Sequence, residues 1–187
     1  MNRTTFLRVV RGSATLILSA IALFLAAGFL LSSGWHLIHG RSISYAGWNI
    51  PVPRGYFVIS HGGTPTMWRL APGAPKFQIP YGALSFRNWT GSAHPFSREA
   101  DYQSSEAAWS QAASESGHHL ESSWQIPIQG KTGYCWEFTR KSRSQPRSLV
   151  RCAIEGSNIY LFYEGDPQYS RDVTAIMEGM SSENAAR

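Results

Sequence analysis

The sequence predicts an α+β protein: a single N-terminal transmembrane helix, then one domain in which an antiparallel sheet carries two packed helices. Three observations predict it. An uncharged apolar run near the N-terminus is long enough to cross a bilayer. Beyond it, short alternating segments bounded by Gly and Pro recur through the body. Two stretches, one in mid-chain and one near the end, replace that alternation with helical composition and spacing.

The stretch from Gly12 to Gly40 holds no Asp, Glu, Lys or Arg, and Ala14 to Leu31 is almost wholly Leu, Ile, Ala and Phe. At about 1.5 Å per residue, Ser13 to Ser33 spans roughly 31 Å as a helix, close to the thickness of a hydrocarbon core. Arg3, Arg8 and Arg11 precede it and only Arg41 follows closely. That bias places the N-terminus in the cytoplasm and the body outside. The chain thus divides into a cytoplasmic head at 1–12, a transmembrane helix at 13–33, a tether at 34–46, an extracytoplasmic domain at 47–182 and a tail at 183–187. The alternative is an export signal cleaved near Gly34, which also delivers the body outside.

Arg41 to Ala46 reads as a tether or a first strand. In Gly47 to Ser60, Pro51, Pro53 and Gly55 interrupt the alternation, so two short strands joined by a turn are expected. His61-Gly62-Gly63 is a turn, Thr66 to Leu70 a strand, and Tyr81 to Trp89 another. Ser97 to Ser116 is rich in Ala, Ser, Glu and Gln without Gly or Pro, which favours a helix ending before Gly117. Four strands follow at Ser122 to Ile128, Gly133 to Arg140, Ser148 to Glu155 and Asn158 to Tyr163. Asp166 can cap a last helix that starts at Pro167, and Val173, Ile176, Met177 and Met180 give it one apolar face.

Net charge is +5, with 17 basic and 12 acidic residues. Arg3, Arg8, Arg11 and Arg41 flank the apolar run, so the body itself is nearly neutral. A nucleic-acid footprint needs excess positive charge on the folded domain, so that partner is excluded. The expected partners are the bilayer, through residues 13–33, and an envelope protein or polymer; oligomeric state stays open. Arg140, Lys141, Arg143, Arg147 and Arg151 crowd one hairpin tip without an acid among them, and are the candidate contact for a polyanion or acidic partner.

The two cysteines, Cys135 and Cys152, both lie in the exported part, where a disulfide is permitted. If their strands pair with Arg140 opposite Arg147, Cys135 falls opposite Cys152, with Cβ atoms about 4.5–5.5 Å apart. Two unpaired core cysteines are the alternative.

The segment Ile50 to Tyr56 (IPVPRGY), the mid-chain helix, the meander and the closing Tyr160 to Met180 (YLFYEGDPQYSRDVTAIMEGM) resemble the layout of PsbP/Mog1-like exported domains. The resemblance covers roughly Gly47 to Met180. It implies an α+β fold and a binding or assembly role, and it carries over no catalytic residue.

Signatures of chemistry are sparse. His61-Gly62-Gly63-Thr64 is similar to an esterase oxyanion loop, but no G-x-S-x-G accompanies it. No HExxH or CxxC is present, and the adjacent His118 and His119 would point to opposite faces of a strand. Asn88-Trp89-Thr90 matches a glycosylation sequon, which acts only in a eukaryotic secretory pathway. No metal, cofactor or catalytic residue is expected. The function read from the sequence is a membrane-anchored, extracytoplasmic, non-enzymatic binding or assembly domain. Its rival is an exported hydrolase-like enzyme that gathers its site from His61, His94, His118, Glu137 and Glu155.

Overall fold

The uncharged run is helical: α1 spans Arg3–His39. In this computed structural model the described residues are 3–69, 82–88, 106, 107, 109–111, 113–140 and 147–182, with α1 side chains described at 15–23 and 26–39. No single helix among them is long and apolar enough to cross a membrane. The pair Thr15–Leu23 and Ala26–His39, bent by 49°, passes that test of length and composition together.

Residues 34–46, expected as a tether, are regular structure. The last turns of α1 fill the first part, and β1 (Ser42–Tyr45) follows a turn at Gly40. The reason lies at Ser32, which is buried against the body. Its hydroxyl donates to the Tyr56 carbonyl at 2.9 Å and accepts from the Gly55 N–H at 3.0 Å. His36 Nε2 lies 3.2 Å from the Pro53 carbonyl, and Trp35 packs against the core. The helix is therefore fastened to the domain it precedes.

Two antiparallel sheets follow. β1 and β2 (Trp48–Pro51) form a small sheet with β10 (Ser181–Ser182), in the order β1-β2-β10. The large sheet comprises β3 (Tyr56–His61), β4 (Thr64–Arg69), β5 (Gly82–Asn88), β6 (His119–Ile128), β7 (Lys131–Arg140), β8 (Arg147–Ile154) and β9 (Ile159–Gly165). Its order is β3-β4-β5-β9-β8-β7-β6. The two expected strands around the prolines are thus β2 and β3, and they belong to different sheets. The β3–β4 turn is two residues long, Gly62 and Gly63, both at positive φ (58° and 79°). That conformation matches the twist of the flanking strands, and glycine adopts it without steric cost.

β7 and β8 pair with Arg140 opposite Arg147 and Cys135 opposite Cys152. The cysteines form a disulfide with Cα atoms 4.2 Å apart, the close spacing of a non-hydrogen-bonded cross-strand pair. One face of the sheet, bearing Leu84, Phe86, Cys135, Val150, Cys152, Leu161 and Tyr163, forms the main core. Against it lies α3 (Ser170–Glu178), which follows a 3-10 turn at Pro167–Tyr169. Asp166 caps that turn by accepting from the Gln168 N–H. Val173, Ile176, Met177 and Met180 are all buried, as their spacing predicts. Tyr56 and Arg69 both donate to Asp172 Oδ2, at 2.9 and 3.0 Å, and tie α3 to β3 and β4.

The opposite face carries a second cluster of Trp136, Phe138 and Ala153. It is covered by the mid-chain helix, α2, whose described helical residues are 106–107, 109–111 and 113–115. Trp109 of α2 meets Trp136 edge-on at 4.8 Å between ring centroids, and Ala113 packs beside it. The expected start of this helix, at Ser97, lies outside the described residues.

Candidate functional site

Residues directly opposite one another in a sheet share a face. Following the registers, Thr66 of β4 stands opposite Ser85 of β5, Ser85 opposite Phe162 of β9, and Phe162 opposite Arg151 of β8. Arg151 in turn stands opposite Trp136, which α2 covers. One cross-strand row thus runs along the α2 face from the open β3–β5 side to the edge of the second cluster. Arg87, two residues beyond Ser85 on β5, belongs to the same face.

Phe162 is where the charges converge. The Arg151 guanidinium carbon lies 4.4 Å from its ring centroid and that of Arg87 lies 5.2 Å from it. Cations held over an aromatic face are attracted by its quadrupole. Among the described residues the ion pairs are Arg69–Asp172 and Arg147–Glu164, so neither Arg87 nor Arg151 is paired with a carboxylate there. Burial lowers the pKa of Arg151 and the charge of Arg87 lowers it further, while Glu164 opposes both. A guanidinium stays protonated regardless.

Beside Arg87 opens a cleft of about 500 Å³ lined by Tyr45, His61, Thr64, Thr66, Ser85 and Arg87. Four of these six bring hydroxyl groups that donate or accept, and Arg87 supplies the only fixed charge. Two glycines at the β3–β4 turn let His61 and Thr64 face one another across the hairpin at the cleft wall.

The basic residues expected to meet a polyanion are partly assembled here. Arg140 and Arg147 stand opposite each other, and both share the face of Arg151. Arg147 donates to Glu164 Oε1 at 3.0 Å, so its charge is partly answered. Lys141 and Arg143 lie outside the described residues. His118, nearly buried, sits in the same field: burial lowers its pKa, and Arg140 and Arg151 lower it further against the opposing Glu164 and a hydrogen bond from the imidazole to the Ser116 backbone.

The residues of the enzymatic alternative are not joined. His61 lines the cleft, whereas His118 Nδ1 lies 3.3 Å from Ser116 Oγ. Glu137 accepts from the Ser148 hydroxyl, and Glu155 from the Thr132 N–H. No hydrogen bond links any two of these four, and His94 lies outside the described residues. Among the described residues no group of three or more His, Cys, Asp or Glu could hold a metal ion. His61-Gly62-Gly63 is a hairpin turn, and Trp89 and Thr90 of the sequon lie outside the described residues.

Arg87 and Phe162 are absent from the sequence-derived candidates. Arg87 is isolated in its strand, and only the β5–β9 pairing brings it to Phe162 and Arg151. The alternation of β5 could have placed it opposite the buried Leu84 and Phe86, but nothing local names its partner strand.

No family model matches the chain, and no curated protein matches it. Solved structures do. A Bacteroides thetaiotaomicron protein is 8% identical with a TM-score of 0.49, the match covering 79% of this chain and 50% of that one. PsbP from the cyanobacterium Synechocystis is 10% identical with a TM-score of 0.49, covering 75% of this chain and 91% of that one. A Pseudomonas aeruginosa protein of unknown function is 14% identical with a TM-score of 0.37, covering 74% and 93%. The chain spans half the length of the Bacteroides protein. A PsbP structure stands among these neighbours, and at this identity it assigns no residue a role.

Proposed function

We propose that the chain is a membrane-anchored, extracytoplasmic, non-enzymatic binding or assembly domain, held by α1 and presenting its arginine-bearing face to an anionic envelope polymer or protein. The observation that carries the anchor is the surface of α1. Leu16, Leu18, Phe29 and Leu37 are 74%, 66%, 74% and 87% exposed, and Ile17, Leu23, Leu30 and Ile38 are exposed with them. A contiguous apolar surface of this kind is what lipid would cover. Beyond α1, the described residues expose only Ile59 and Leu120 among large apolar side chains.

The fastening at Ser32 favours a retained helix over a cleaved signal. A cut near Gly34 would remove the hydroxyl that bonds the Gly55 N–H and the Tyr56 carbonyl, and with it a specific contact between helix and body that an export signal has no need to make. The Cys135–Cys152 bridge supports an oxidising compartment for the body. On the binding side, Arg87 is the fixed charge of an open cleft and a single histidine accompanies it, an arrangement suited to holding a ligand.

Carbonate extraction combined with external protease treatment of intact cells tests this reading. The full chain is expected to remain in the membrane pellet, with the body digested from outside and an N-terminal tag protected. Recovery of the uncut chain in the carbonate supernatant overturns the anchor, and a body protected from external protease overturns its orientation.

A further inference from the structure

The binding-domain reading leaves the ligand of the α2 face unnamed. Arg87 and Arg151 both reach Phe162, so one ligand placed over β5 and β9 is within range of both guanidinium groups. Arg151 is half-buried, and holding its guanidinium there beside a second one is unfavourable, as the depression of its pKa by burial and by Arg87 reflects. Two like charges stacked on one ring, with no paired carboxylate among the described residues, are an arrangement that a bound anion relieves. Guanidinium forks match phosphate and carboxylate oxygens in geometry.

Charge decides between those two groups. A phosphate monoester carries about −1.5 to −2 near pH 7 and neutralises both arginines, whereas a carboxylate answers one. What the anion is attached to follows from the neighbouring cleft. Arg87 is shared between Phe162 and the cleft wall, so a ligand whose phosphate meets Arg87 and Arg151 can extend along β4 and β5 toward Thr66, Ser85, Thr64 and His61. These side chains offer hydroxyl donors and acceptors beside an apolar surface of similar extent, a mixture that suits a sugar, whose ring has both hydroxyls and C–H faces. The volume of about 500 Å³ is ample for one sugar ring.

We propose that Arg87 and Arg151, stacked on Phe162, together with the hydroxyl-lined cleft of Tyr45, Thr64, Thr66 and Ser85, form a binding site for a sugar phosphate. This rests on the reading of the chain as a binding domain and names the ligand class at its open face. The phosphate bridges the two guanidinium groups, and the sugar hydroxyls exchange hydrogen bonds with the Thr and Ser side chains of β4 and β5. Phe162 acts as the platform that keeps both guanidinium groups in place.

The test is calorimetric titration of the full chain in detergent micelles with glucose 6-phosphate, inorganic phosphate, glucose and glucuronate. Glucose 6-phosphate is expected to bind at least tenfold more tightly than inorganic phosphate or glucuronate, and glucose not measurably. Arg87→Gln, an exposed change, and Arg151→Gln are each expected to weaken the sugar phosphate 10- to 100-fold, with an unchanged near-ultraviolet circular dichroism spectrum; Arg41→Gln is expected to have no effect. Thr66→Val should lower affinity for the sugar phosphate and leave that for inorganic phosphate unchanged. Equal binding of glucuronate and glucose 6-phosphate overturns the phosphate assignment, and full affinity in Arg87→Gln overturns the site. If the wild type binds none of the four ligands yet is retained on envelope material, the sugar-phosphate site fails and the binding-domain reading stands. If it is also not retained, both fail.

Discussion

Breaking the Cys135–Cys152 bridge is expected to lower the stability of the body by about 3 kcal/mol. The cysteines are 17 residues apart in sequence. For a loop of that length the chain-entropy relation gives roughly 10 cal/mol/K, or about 3 kcal/mol at room temperature, all of it exerted on the unfolded chain. For a domain of this size each kcal/mol moves Tm by roughly 2–4 °C, so a fall of about 6–12 °C is expected. Two perturbations separate the bond from its packing. Reduction of the wild type opens the bond and leaves both sulfurs in the core, with Cys135 Sγ 3.4 Å from Met177 Sδ. The double change Cys135→Ala and Cys152→Ala also removes the buried sulfurs, and is expected to cost a further 1 kcal/mol or more through the space left behind. Urea unfolding followed by tryptophan fluorescence, with and without reductant, provides the assay. A midpoint that reductant shifts by less than the equivalent of about 0.5 kcal/mol would refute the reasoning, since the entropic gain depends only on closing the loop.

Other perturbations test separate parts of the structure. Asp172→Ala leaves the Tyr56 hydroxyl and Arg69 without their shared acceptor, and should cost about 1–3 kcal/mol in the same unfolding assay; a neutral result would mean the network is not holding α3. Ser32→Ala should speed hydrogen exchange at the Gly55 amide at least tenfold, because its acceptor is removed; unchanged exchange would deny the fastening of α1. Burial raises the pKa of Tyr56, with Asp172 adding to it, and burial followed by Asp166 raises that of Tyr163. Their contribution to stability is therefore full below the unfolded tyrosine value of about 10 and is lost as pH climbs beyond it, so the urea midpoint should fall between pH 9 and pH 11. For His118 the folded pKa is lowered, first by burial, so its contribution is present above about pH 6.5 and is lost as pH falls; His118→Gln should flatten the midpoint between pH 7 and pH 5.

The parts of the fold written in short-range patterns were legible in the sequence. The β7–β8 register follows from a polar loop and two alternating strands, and with it the disulfide. The buried face of α3 follows from Val173, Ile176 and Met177 at helical spacing, and Met180 is buried just beyond its end. The pairing of β5 with β9, which joins the first hairpin to the meander, was not legible, because strand alternation names a face and never a partner. The candidate site suffered for that reason: Arg140, Arg147 and Arg151 were visible as a local charge cluster, whereas Arg87 comes to Phe162 and Arg151 only across that pairing. The fastening of α1 was hidden too. Ser32 reads as one more small residue in an apolar run, and its role comes from a loop more than twenty residues away.

We propose that the body binds an anionic envelope partner through its arginine-bearing face. Co-sedimentation of the full chain, in detergent, with purified envelope polymer tests it most directly, comparing the wild type with the Lys141→Ser, Arg143→Ser, Arg147→Ser variant. The wild type is expected in the pellet and the variant at least tenfold depleted from it, with both equally folded by circular dichroism. A wild type that stays in the supernatant, or a variant that pellets as well as the wild type, would contradict the account.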